Sequence, residues 1–79
     1  MSIKVLYFAS LRETLGYSHE TLTLPAGVAT LGDLRSHLAR RGGVWESLGE
    51  GRNVRAAINQ ETVGAEVAVA DRDEIAFFP

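Results

Sequence analysis

Side-chain chemistry in this chain would have to come from a short inventory. Imidazole occurs twice, at His19 and His37, and thiol not at all. Two histidines four apart on a helix would hold a divalent metal, but His19 and His37 are far apart and no thiolate completes a ligand set. They are read as surface residues of a loop and a helix flank. Ser10 and Ser36 lack the G-x-S-x-G turn that exposes a nucleophilic hydroxyl, so they are read as a helix N-cap and an exposed helical position. Asp71, Asp73 and Glu74 could gather oxygen ligands, yet Mg²⁺ held that way needs a phosphate partner, and a solvated turn is the preferred reading. Gly42-Gly43 and Gly49-Glu50-Gly51 match no phosphate-binding loop. Trp45 would be a platform for a flat ligand or a plug beneath a loop, and the plug is preferred. On this inventory the chain is not an enzyme by itself, with no catalytic residue, no metal site and no cofactor of its own.

The elements that would position these residues follow from periodicity. Ile3 to Ala9 (IKVLYFA) is β-branched and aromatic and reads as a first strand, with Ile3, Val5, Tyr7 and Ala9 on one face and Lys4, Leu6 and Phe8 on the other. Ser10, with Glu13 three positions on, has the form of a capping box for a short helix over Leu11 to Leu15 that Gly16 closes. Glu20 to Leu24 alternates as a half-buried strand before Pro25-Ala26-Gly27, with Leu22 and Leu24 facing inward. Thr30 caps the one substantial amphipathic helix, Leu31 to Arg41, in which Leu31, Leu34 and Leu38 form the apolar stripe and Asp33 meets the helix dipole. Arg40 and Arg41 suit its C-terminal end, and Gly42-Gly43 supply positive φ. Val44 to Leu48 reads as a helical turn holding Trp45, and Gly49-Glu50-Gly51 as a loop. Val54 to Ile58 is a strand followed by an Asn59-Gln60 turn, and Thr62 to Val69 a weaker extended piece broken by Gly64. Asp71-Arg72-Asp73 is a polar turn before a last strand, Glu74 to Phe78.

Size and charge set the outer bounds. Seventy-nine residues, 46% hydrophobic and 23% charged, fit one small globular domain over residues 1–79 and exclude a disordered or collagen-like chain. Ten acidic against eight basic side chains give a net charge of −2, without the clustered Lys and Arg of a nucleic-acid binder. With zero cysteines, stability comes from packing alone. A core of this size seldom supplies more than about 3 to 5 kcal/mol, so marginal stability or help from a partner is expected. The opening residues have neither a basic leader nor a cleavage site, and no apolar run approaches the roughly 18 residues a membrane span needs. The expectation is a soluble cytoplasmic protein with neither nucleic-acid nor membrane partners.

The first and last strands are the most apolar and belong in the middle of a sheet. One helix of about 11 residues, roughly 16 Å long, covers one face of four or five strands and leaves the other open. Ile3, Val5, Tyr7, Ile75 and Phe77 are assigned to the covered face with Leu31, Leu34 and Leu38. Lys4, Leu6, Phe8, Glu74, Ala76 and Phe78 are assigned to the open one, where an apolar patch rimmed by charges is a candidate protein-binding surface.

The stretch MSIKVLYFASLRETLG, the Thr30 to Arg41 helix, VRAAINQ at Val54 to Gln60 and DRDEIAFFP at the end together resemble the small subunit of molybdopterin synthase, the sulfur-carrier family of molybdenum-cofactor biosynthesis. The resemblance covers essentially the whole chain. It implies an α+β fold, the ubiquitin-like β-grasp, in which a mixed four- to five-stranded sheet has its first and last strands side by side and parallel and one main helix on one face. It implies a Gly-Gly tail beyond Phe-Phe-Pro whose carboxylate is adenylated by an ATP-dependent, ubiquitin-activating-like adenylyltransferase and converted to a thiocarboxylate. The tail then enters the large catalytic subunit of molybdopterin synthase, in a heterotetramer of two copies of each. This sequence stops at Pro79, and Gly42-Gly43 cannot serve as the tail: either a flexible terminus of several residues continues beyond Pro79, the preferred reading, or the chain is truncated and carries no sulfur. A thiocarboxylate brings sulfur without a cysteine, which suits the composition. Partner contact is implied at Phe8, Phe78 and Pro79. A third apolar contact of the family falls at or near Thr62, where this chain departs from the pattern. Two alternatives are a related carrier serving thiamine or tungsten-cofactor synthesis and a ubiquitin-like interaction module without sulfur chemistry.

Overall fold

The structure is a computed structural model and describes residues 2–49 and 53–79. Strand β1, Ser2–Tyr7, alternates exposed and buried side chains and runs straight into helix α1, Ala9–Leu15. Strand β2, His19–Thr23, returns antiparallel to β1. Helix α2, Leu31–Ala39, follows, then a 3₁₀ turn, Gly43–Leu48. Strands β3, Arg55–Ile58, and β4, Glu61–Val63, form a hairpin, and β5, Glu74–Phe78, ends the chain. The strand order is β2-β1-β5-β3-β4, with β5 parallel to β1 and antiparallel to β3. The two most apolar strands thus lie side by side inside the sheet, as their composition requires. A crossover connection is needed between parallel neighbours, and α2 lies within the segment that supplies it.

All eight residues assigned to the covered face are buried. The cover is broader than one helix, since Leu11 and Leu15 of α1 and Leu48 of the 3₁₀ turn join Leu31, Leu34 and Leu38 in the same core. Leu22 and Leu24 are only half-buried at its margin. In α2 Thr30 caps the helix as expected, and Asp33, expected only to meet the helix dipole, completes a capping box: Asp33 N–H donates to Thr30 Oγ1, while the Asp33 carboxylate accepts from the backbone of Thr30 and Ala29. Such a cap is worth about 1 kcal/mol.

Several boundaries differ from the sequence expectations. The first strand stops at Tyr7 rather than Ala9, and Ser10 caps nothing: Phe8 is the N-cap of α1, without a side-chain cap bond. The reason is that Ala9 adopts φ +53, turning strand into helix within one residue and leaving Ser10 inside the first turn. Helix α2 ends at Ala39, short of Arg41; Arg40 is the C-cap, and Gly42 and Gly43, at φ +79 and +57, carry the chain into the 3₁₀ turn. Strand β4 ends at Val63 instead of reaching Val69, and past it only Ala68 pairs, in an isolated antiparallel bridge to Thr30. Beyond it, residues 65–69 lie against the start of α2, with Gly32 N donating to Ala65 O, Leu31 N to Val67 O and Val69 N to Ala29 O. β2 and β3 are each offset by one residue from their expected starts. Of the expected Gly49-Glu50-Gly51 loop, Gly49 caps the 3₁₀ turn and the other two lie outside the described residues.

The Asn59-Gln60 turn is tighter and more specific than its sequence suggests. Both residues have positive φ, +51 and +72, the requirement of a two-residue hairpin whose twist matches its strands. Asn59 also clamps the start of β5: its Oδ1 accepts from Glu74 N, its Nδ2 donates to Asp73 Oδ1, and its backbone N donates to Glu74 O. The Asp71-Arg72-Asp73 turn is tied to the first strand, with Ser2 N donating to Asp71 Oδ1 and Arg72 N to Ser2 O. The Asp71 and Asp73 carboxylates are therefore occupied by backbone and amide donors, where the sequence reading expected solvent.

Candidate functional site

The uncovered face of the sheet is built row by row from ladder partners, because residues opposite each other in neighbouring strands project to the same side. The central row runs His19, Leu6, Ala76, Ala57, Thr62 across all five strands. One step toward the start of β5, Thr21, Lys4 and Glu74 lie together. One step the other way, Phe78 pairs with Arg55. None of Leu6, Ala57, Ala76 or Phe78 belongs to the core cluster formed by the described residues. Ala57 is shielded by its neighbours, while Leu6, Ala76 and Phe78 are half-buried. The result is an apolar strip across a sheet face with charge at either end, as the alternation of the strands implied.

Phe8 completes this strip at the Phe78 end. Parallel pairing continues past Tyr7 and Phe77 through a bond from Phe8 N to Phe77 O, 3.1 Å. On its other side, the Phe8 carbonyl accepts from Leu11 N and Arg12 N at the head of α1. The backbone of Phe8 is thus held by sheet and helix together, and its ring remains 47% exposed. Ala9, immediately after it, sits in the left-handed region, which costs a non-glycine residue about 1 to 2 kcal/mol. Backbone strain next to an exposed aromatic is a pattern found at functional surfaces.

The structure therefore brings Phe8, Phe78 and Pro79 to one end of the sheet and places Thr62 on the same face, two strands away from β5. Thr62 is exposed, and its cross-strand partner is Ala57. Pro79 is exposed and borders an open groove of about 440 Å³ with Asn53, Val54 and Arg55. The last residue accordingly leaves the sheet beside the apolar strip.

On the opposite side of the sheet, the structure assembles a cluster that sequence reasoning missed. Arg41 makes a bidentate pair with Glu20, at 2.8 and 3.0 Å, and its guanidinium lies 4.4 Å from the Trp45 ring centroid. Trp45 meets Tyr7 edge-on and Tyr17 at a tilt, both at 5.6 Å, and Tyr7 Oη donates to Glu20 Oε2. The Arg41 bond holds the Glu20 carboxyl below the usual carboxylate range against the opposing effect of burial. Burial, then the Glu20 charge, pushes the Tyr7 phenol well up. Trp45 is half-buried and roofed by an arginine, so it is the plug the sequence suggested, fixed by contacts among three separate elements. The only signal for the cluster was the positive charge after α2, which by itself pointed to the helix dipole.

His19 is exposed and His37 half-buried on α2. Among the described residues, no group of three His, Cys, Asp or Glu side chains converges to hold a metal, and no helix is long and apolar enough to cross a membrane. The hollow at the start of α2, about 240 Å³, is lined by Thr30 and Asp33, whose polar atoms already cap the helix.

Comparison with known proteins agrees with this geometry. A family model described as the ThiS family matches residues 5–79. The molybdopterin synthase sulfur carrier subunit of Haemophilus influenzae is 40% identical over 77 residues, covering 98% of this chain and 93% of the relative. That of Escherichia coli is 38% identical over the same span and coverage. Among solved structures, SAMP1 from Haloferax volcanii superimposes with a TM-score of 0.80 at 28% identity, covering 100% of this chain and 94% of that one. A putative molybdopterin converting factor, subunit 1, from Pyrococcus furiosus gives 0.78 at 30% identity, with 100% and 97% covered. These neighbours share the ubiquitin-like β-grasp, so the expected fold class holds.

Proposed function

This chain belongs to the ThiS family, and from that premise we propose that it works as the sulfur carrier subunit of a molybdopterin synthase. The observation that carries the reading is the shared end of the sheet: parallel pairing of β1 and β5 sets two outward aromatics, Phe8 and Phe78, beside the residue from which the chain leaves, Pro79. A carrier needs both features at once. Its body must be gripped by a larger subunit, and its end must be free to reach into that subunit's active site.

Residues 1–79 act as one β-grasp unit in the cytoplasm and catalyse nothing alone. Phe8 and Phe78 seat in apolar pockets of the large catalytic subunit, Pro79 leads toward its active site, and Thr62 lies at the edge of the contact. The assembly is a heterotetramer of two copies of each subunit. The cargo is a thiocarboxylate on a glycine-ended tail continuing from Pro79, because glycines without Cβ thread a narrow channel. The terminal carboxylate attacks the α-phosphorus of ATP on an adenylyltransferase, expelling pyrophosphate. A sulfur nucleophile then displaces AMP from the acyl-adenylate. A chain with zero cysteines can carry sulfur in this form.

Intact-mass analysis of the protein purified from its native host tests the reading. A tail ending in paired glycines, with a fraction of molecules heavier by one oxygen-to-sulfur exchange at the terminal carboxyl, is the expected result. A native chain that ends without such a tail and never gains sulfur leaves only a ubiquitin-like interaction module and overturns the proposal.

A further inference from the structure

The open face has an electrical asymmetry that apolar contact alone does not use. Lys4 has a cross-strand neighbour of opposite charge, Glu74, in the β1–β5 ladder, although the two form no salt bridge among the described residues. Arg55 lies opposite Phe78 instead, is exposed, and takes part in no salt bridge among the described residues. Two other arginines have structural duties on the covered side. Arg35 donates to the Leu48 and Gly49 carbonyls, and Arg41 is bound to Glu20. Arg55 also lines the groove that runs to Pro79. A cation without a salt-bridge partner among the described residues therefore stands at the aromatic end of the strip, on a chain whose net charge is −2.

We propose that Arg55 is the polar anchor of the docking face, and that the surface of the large synthase subunit receiving Phe8 and Phe78 presents a carboxylate to it. This rests on the docking reading above and adds the chemistry of the partner. Arg55 and Phe78 are direct cross-strand neighbours, with Cβ atoms about 5 Å apart in such pairs. A surface that seals the Phe78 ring also strips water from the adjoining guanidinium. A buried charge without a counter-charge is costly, so the partner that covers Phe78 must supply an acceptor. The planar guanidinium fork matches a carboxylate through two parallel bonds, which would fix the rotation of the carrier and hence the direction of its terminus.

Titration calorimetry of the full chain against its large synthase subunit, at low and at high salt, tests this. Arg55→Glu is expected to weaken binding roughly tenfold or more, and Arg55→Gln to weaken it less while flattening the salt dependence. Lys4→Gln, which removes the cation at the other end of the strip, away from the Phe8 and Phe78 rings, should change affinity less than Arg55→Gln. Thermal midpoints of the Arg55 variants should match the parent. If Phe78→Asp loses binding while Arg55→Glu binds within about twofold of the parent, the carboxylate is overturned and the docking face stands. If Phe78→Asp binds like the parent, the docking reading itself fails. If the chain alone sediments as a dimer that Arg55→Glu dissociates, the occupant is a second copy and the proposal is wrong.

Discussion

Phe77 and Phe78 are adjacent, chemically identical and part of one strand, yet they belong to different regions of the molecule. Phe77 is fully buried, stacked 6.2 Å from Tyr7, and Phe78 lies half-exposed beside Arg55. Tyr7 and Phe8 repeat the division one strand away, with exposures of 1% and 47%. One face of the sheet is closed by α1, α2 and the 3₁₀ turn, and the other by nothing among the described residues. The comparison teaches that residue type did not separate stability from recognition here. A strand's alternation supplied two aromatic faces, and the placement of the helices on one side decided which of them became core.

The largest effect should come from breaking the closed face. Phe77→Ala removes a fully buried ring and is expected to cost about 3 to 5 kcal/mol, comparable to the whole stability of so small a domain, so denaturant titration should find it largely unfolded. Phe78→Ala should cost well under half of that. Equal losses would erase the distinction between the faces.

The converse test is functional. Phe8→Asp and Phe78→Asp should each abolish binding to the large subunit and leave the circular dichroism of the isolated chain largely intact. Should either variant unfold the chain on its own, the open face is core and the assignment is reversed.

A smaller effect sharpens the electrostatics of the closed side. Arg41→Ala removes a bidentate pair and the roof over Trp45 and should cost about 1 to 2 kcal/mol at neutral pH. Because the folded Glu20 carboxyl lies below its ordinary value of 4.5, its contribution is present above pH 4.5 and lost as pH falls through the folded value. Glu20→Gln should therefore show a shallower loss of stability below pH 4.5 than the parent. An unchanged acid limb would mean the pair adds nothing.

The smallest change concerns the hairpin. Gln60 at φ +72 bears left-handed strain of about 1 to 2 kcal/mol, whereas glycine loses about 0.4 to 1 kcal/mol through unfolded-state entropy. Gln60→Gly should thus raise the thermal midpoint slightly without touching the open face. A decrease would show that Gln60 makes contacts that outweigh the strain.

Local chemistry made much of this legible in advance. Alternation in IKVLYF and EIAFF put the right residues on each face, failing only at Ala9, which is exposed at the head of α1, and Thr30 with Asp33 marked the start of α2 because a cap is satisfied within four residues. Where the sequence misled, a competing tertiary contact had won. Ser10 looked like a cap, but Ala9 takes positive φ and the Phe8 carbonyl receives the helix, a choice set by the sheet pairing of Phe8 with Phe77. The extended piece after the hairpin lost its strand because residues 65–69 dock on the start of α2.

By itself, then, the sequence determined which side chains share a face, where the main helix begins and that sulfur cannot ride on a cysteine. Those properties depend on neighbours a few residues away or on composition alone. Tertiary structure decided the rest. It brought Glu20, Arg41 and Trp45 into one cluster, clamped Asn59 onto β5, and set Phe8 beside Phe78 with Arg55 at their flank. Each depends on packing between separate elements: β2 against the end of α2 for the first, the antiparallel β3–β5 pair for the second, and, for the third, the parallel register of β1 and β5, with Tyr7 and Phe77 buried in one core.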